Sequence, residues 1–145
     1  MKILRSILAV VGGFIVSMGT IMGVHMIGQF IYPLPNGVDP SDTEKLRELL
    51  PTMPLGALLM VVLAWESGAF VGGLIAALIA GRARCVHAGI IGAWVLLGTI
   101  RNFRMLPGHP EWMIIAGLVL PLPVSLLAGK IVATLLPPPP AASNP

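Results

Sequence analysis

The stretch LGALLMVVLAWESGAFVGGLIAALIA, Leu55 to Ala80, carries a single charged side chain, Glu66, in 26 residues. A helix rises about 1.5 Å per residue, and a bilayer core about 30 Å thick takes about 20 mostly apolar residues to cross. This stretch therefore reads as one membrane-spanning helix. Its small residues fall in two adjacent rows of fourfold spacing, Ala64, Gly68, Gly72, Ala76 and Ala80 beside Ala69, Gly73, Ala77 and Gly81. Lipid supplies no hydrophobic drive between helices, so association depends on small residues that let backbones approach. Two such rows make a wide flat face able to touch more than one neighbour. This helix is expected at the centre of a bundle.

Working outward, three more apolar stretches are long enough to span, Ile7 to Ile31, Val86 to Leu106 and Trp112 to Leu136. They answer the central helix with small residues of their own: Gly12, Gly19 and Gly23, Gly13 near Ser17, Gly89 with Ala93, and Ala88 with Gly92. Hydrophobic residues make up 56% of the 145-residue chain and charged residues 10%, against roughly 25% charged in soluble domains. The expected fold class is all-α, a polytopic membrane protein of four transmembrane helices in one compact domain over residues 1–136. Four consecutive prolines and AASNP follow, an extended and disordered tail over 137–145.

Lys2 and Arg5 precede the first apolar run as they would in a signal peptide. The run continues well past the usual 7–15 apolar residues before Tyr32 and Pro33 interrupt it, which favours an uncleaved helix. The net charge of +3 is scattered and leaves no nucleic-acid footprint. Cys85 is the one cysteine, so neither an internal disulfide nor a cysteine metal cage is expected.

Lysine and arginine are retained on the cytoplasmic side of membrane proteins. One side of the expected bundle holds Lys2, Arg5, Arg82, Arg84 and Lys130. The other holds Lys45, Arg47, Arg101 and Arg104 together with Asp39, Asp42, Glu44, Glu48 and Glu111. Arg101 and Arg104 fall on the last turns of the third helix rather than in a loop. Both termini and the turn Gly81-Arg82-Ala83-Arg84 are thus expected to face the cytoplasm, and the long connection from Tyr32 to Pro54 to face outward. Within it Ser41 and Glu44 fit a capping box, with Asp39 a competing cap one turn earlier. An interfacial helix over about 41–50 would turn Leu46, Leu49, Leu50 and Met53 to one side. It either caps the bundle or forms a lid over a pocket. Pro121 and Pro123 fall near the middle of the fourth span and imply a kink or a short unwound segment.

Ionisable groups within hydrocarbon are functional-site candidates by default. Glu66 is the deepest, His25 and Gln29 lie in the outer half of the first helix, and Arg101 and Asn102 lie toward the outer end of the third. Lys130 can snorkel to the interface as an anchor. Glu66 reads either as a proton- or cation-coupling carboxylate or as a structural group neutralised by protonation or an arginine. Haem would need two imidazoles at similar depth, and His25, His87 and His109 differ in depth. No cofactor or metal is expected.

The segments PNGVD (Pro35 to Asp39), the Ala64/Gly68/Gly72 spacing, Gly98 through Asn102 into MLPGHPEW (Met105 to Trp112), and LLAGKI (Leu126 to Ile131) carry a resemblance. In their order and spacing the chain resembles a group of uncharacterised small bacterial four-helix membrane proteins. The resemblance implies an asparagine at Asn102, a proline-containing corner ending at Trp112, and a lysine at Lys130 as shared features, with no particular activity. Glu66 and Arg101 stand where the group's pattern is apolar, which makes a private ion pair between them attractive. Side chains lean toward their helix N-termini, so the two lean toward each other across a backbone depth difference of about 9 Å.

The leading functional expectation is a non-enzymatic protein of the bacterial inner membrane, embedded in lipid and working with a membrane partner or as a homo-oligomer. The alternative is a small oligomeric transporter or channel-like protein with a polar site near Glu66, His25 and Asn102. No nucleophile–base or metal-ligand constellation points to an enzyme.

Overall fold

The computed structural model describes residues 2–39 and 41–136; the tail over 137–145 lies outside the described residues. All regular structure among them is helical: α1 (Lys2–Ile31), α2 (Thr43–Leu49) with a 3-10 turn at Leu50–Thr52, α3 (Leu55–Ala80), α4 (Arg84–Met105), α5 (Glu111–Val119) and α6 (Pro121–Leu135). With α5 and α6 counted together, four helices are long and apolar enough to cross a membrane.

The central stretch is the hub. α3 packs against α1, α4 and α6, while α1 barely meets α4. The two small rows divide the work as their geometry dictates. A methyl group on Gly72 would lie 2.7 Å from the Gly13 carbonyl oxygen of α1, and one on Gly73 would lie 2.8 Å from Ser125 Oγ of α6. On the far side, Ala88 and Gly92 of α4 receive Gly129 and Ser125 of α6. The Ser125 hydroxyl donates to the Ala88 carbonyl across that contact.

Helix bounds follow the apolar lengths, with two informative departures. α1 starts at Lys2 rather than near Ile7, and Arg5 in the added turn has a partner on another helix. Its Nε donates to the Ile79 carbonyl at 2.6 Å, in the last turn of α3. Arg84 does the same for α6, donating from Nη1 to the Val132 carbonyl at 2.9 Å. Helix C-termini leave carbonyls unsatisfied and carry partial negative charge, so a cation there is doubly favoured. Between these caps the chain turns through Gly81 (φ 71°) and Ala83 (φ 47°).

The second departure is at the outer helix. The expected Ser41–Glu44 capping box does not form. Asp42 is the cap, its carboxylate accepting from Lys45 N at 3.2 Å. Ser41 instead donates its N–H and hydroxyl to Asp39 Oδ1, at 2.8 and 2.7 Å. A charged acceptor one residue later suits the positive helix start better than a hydroxyl already committed to a turn. The Ser41 bonds also hold the exposed Asp39 carboxyl below its usual range. The apolar side of this segment does face inward, with Leu50 buried.

In the fourth span the prolines cause a missing hydrogen bond rather than an unwound segment. Leu120 keeps right-handed helical dihedrals (φ −79°, ψ −37°) and bridges both halves, Leu120 N to Ala116 O and Val124 N to Leu120 O. Pro121 has no N–H for the Gly117 carbonyl four residues back. Thr99 of α4 brings a donor to it, its hydroxyl shared between Gly117 O at 2.9 Å and Leu96 O of its own helix at 2.8 Å.

Candidate functional site

Glu66 lies half-buried on α3, and both carboxylate oxygens are shielded without a hydrogen-bond partner among the described residues. Its depth can be read from the packing. α3 and the α5–α6 span run in the same direction, and Trp65 meets Gly117 just as Gly73 meets Ser125, at the same offset. Glu66 is therefore level with Leu118, about one turn from Pro121 toward the start of α5.

The expected pair with Arg101 is not formed. Arg101 is exposed on α4, and the one ion pair among the described residues joins Lys45 and Asp42 at the outer helix, at 3.5 Å. Azimuth explains this. Phe103 packs edge-on to Trp65 of α3, with ring centroids 5.5 Å apart. Arg101 precedes it by two residues, about 200° around the helix, and so turns away from α3.

His25 and Asn102 open onto different spaces. Asn102 lines a cleft of about 180 Å³ between α1 and α4, with Met18, Trp94 and Gly98. Its side chain forms no hydrogen bond among the described residues; its backbone carbonyl closes α4 by accepting from Leu106 N at 2.9 Å. His25 lines a separate cavity of about 160 Å³ between the end of α1 and the start of α3. Glu66 lines neither. The composite site expected from the sequence is thus not assembled in one place. Trp112 sits part-exposed in the first turn of α5 and Lys130 exposed on α6, positions that suit interfacial anchors.

The histidines are likewise dispersed. His87 Nδ1 lies 3.0 Å from the Ala83 carbonyl at the opposite end of the bundle. His109, in the loop between α4 and α5, packs edge-to-face with Phe103, ring centroids 5.0 Å apart, with Nδ1 buried and without a partner among the described residues. Burial holds its imidazole below the ordinary range, with the Leu106 backbone pulling weakly the other way. No group of three metal-ligating side chains occurs among the described residues. Cys85 is a free, exposed thiol beside the Arg82–Arg84 turn.

Ionisable groups drew the sequence reading, and the polar residues that matter most to packing are hydroxyls. Ser17, Thr99 and Ser125 are almost wholly buried, the latter two bonding between helices. Each sits among small residues within an apolar span, the setting in which a hydroxyl cements helices in lipid. No family model, curated protein or solved structure matches the chain.

Proposed function

We propose that this chain is a non-enzymatic multi-pass protein of the bacterial inner membrane that works by associating with a second membrane-embedded chain, in the simplest case another copy of itself. The bacterial setting rests on the resemblance to small four-helix membrane proteins. The orientation rests on the basic residues, with both ends and the Arg82–Arg84 turn on the cytoplasmic side.

One observation carries the reading. Gly19 and Gly23 form a G-x-x-x-G pair on α1, and a methyl group on either would meet nothing within 4 Å. Gly13 and Gly28 on the same helix pack closely against α3. The face bearing Gly19 and Gly23 is a different one, a little over a third of a turn around the helix, about 130°. A glycine forfeits helix propensity of about 1 kcal/mol relative to alanine, and in lipid its return is close backbone approach. Within one copy that return is not collected. The same helix turns Ile15, Met22, Met26 and Phe30 outward.

Cysteine cross-linking in native membranes tests this. In a Cys85→Ser background, cysteines placed at Gly19 or Gly23 are expected to give an oxidised dimer or a mixed adduct with one membrane protein. A cysteine at exposed Leu127 on α6 is expected to give neither. Equal cross-linking at all three positions, or none at Gly19 and Gly23, would overturn the reading.

A further inference from the structure

The cavity beside His25 is bordered by Leu46 of α2 and lies at the Tyr32 end of α1, away from the Gly19 and Gly23 face. His25 sits six residues inside the end of α1, about 9 Å into the span. Gln29 and Tyr32 complete its polar side, and Met53, Met60 and, from α2, Leu46 supply apolar walls. We propose that this cavity binds a neutral hydroxylated ring, either a free phenol or the head of a lipid-borne quinol.

Chemistry and size both narrow the ligand. Imidazole, carboxamide and phenol side chains can each donate and accept a hydrogen bond, so together they suit a hydroxyl that does the same. Among the described residues no lysine, arginine, aspartate or glutamate lines the space, so an ionic ligand would meet no counter-charge from them. Thioethers favour the edges of aromatic rings, and two face this cavity. An apolar cavity of about 150 Å³ accommodates a benzene ring. The present space, about 160 Å³ with a polar edge, fits one ring with its hydroxyl.

Two further features distinguish it from a packing gap. Polar side chains at membrane depth are costly unless they face a cavity or a partner. A second hollow of about 310 Å³ adjoins it, sharing Tyr32, Leu34, Met53 and Ala57 and continuing past Ile31, Pro33 and Pro54. That hollow is a path by which a ring could enter from the outer face, or along which a tail could leave. α2, tethered on both sides by proline-containing turns, is placed to act as the lid.

The test is photolabelling of the intact chain in lipid nanodiscs with a diazirine-bearing phenol, read by peptide mass spectrometry. Label is expected on the segments around His25 to Leu34 and Met53 to Met60. Phenol should compete, whereas benzene at equal membrane concentration should not. His25→Leu and Gln29→Leu should each reduce specific labelling about tenfold, the worth of one well-placed hydrogen bond. Gln29 is exposed, so its replacement leaves the helical circular dichroism spectrum as a fold control. A long-chain alkyl hydroquinone that competes more strongly than phenol identifies a lipid-borne ring; phenol competing while the tailed compound fails identifies a water-borne one. Label scattered over lipid-facing α4 and α6, or equal competition by benzene, overturns the site.

Discussion

Glu66 illustrates what depth alone can and cannot say. Its place deep within an apolar span was legible from the sequence. The angle of Arg101 around α4 was not, because it depends on Phe103 choosing Trp65 as its neighbour. Removing one member of a buried ion pair typically costs about 3–5 kcal/mol, since the other charge is stranded. Glu66 has no such partner among the described residues, so Glu66→Gln should leave the thermal midpoint in detergent unchanged or raise it. Arg101→Gln should likewise be close to neutral. A loss of about 3 kcal/mol or more from either change, measured by thermal unfolding, would restore the pair.

At the scale of elements, apolar length located the spans well, and α3 has the bounds its sequence implies. The ends moved where a polar group had a specific partner. Arg5 and Arg84 read as topology signals in the sequence, yet in the fold each caps the final turn of another helix. Such long-range partners leave no periodic trace. The α5–α6 junction shows the same limit. Its two prolines foretold a disturbed helix, but not that Thr99 from α4 would satisfy the freed Gly117 carbonyl. Thr99→Val keeps the shape and deletes that donor, and should cost about 1–2 kcal/mol. Thr20→Val is the control, because its hydroxyl merely returns to Val16 of its own helix at 2.8 Å, and should cost much less. Equal costs in a denaturation series in mixed micelles would mean the interhelical bond adds nothing.

Across the whole molecule, the small-residue rows of α3 mark its central place in the sequence itself, because close approach in a membrane has few other sources. The cavities were less legible. One lies among α1, α3 and α4 and the other beside the connection that carries α2, and both depend on loop paths that residue spacing does not encode. Every element placement above depends on four crossings, with the Tyr32–Pro54 connection on one face of the membrane and the Arg82–Arg84 turn on the other. Labelling with a membrane-impermeant maleimide in sealed bacterial cells measures this directly, using native Cys85 and a second chain carrying Asn36→Cys in a Cys85→Ser background. The account predicts that the cysteine at position 36 reacts from outside, while Cys85 reacts only once the membrane is permeabilised. Reaction of both cysteines in sealed cells, or of neither, would contradict the crossings, and reaction of Cys85 alone would invert the orientation.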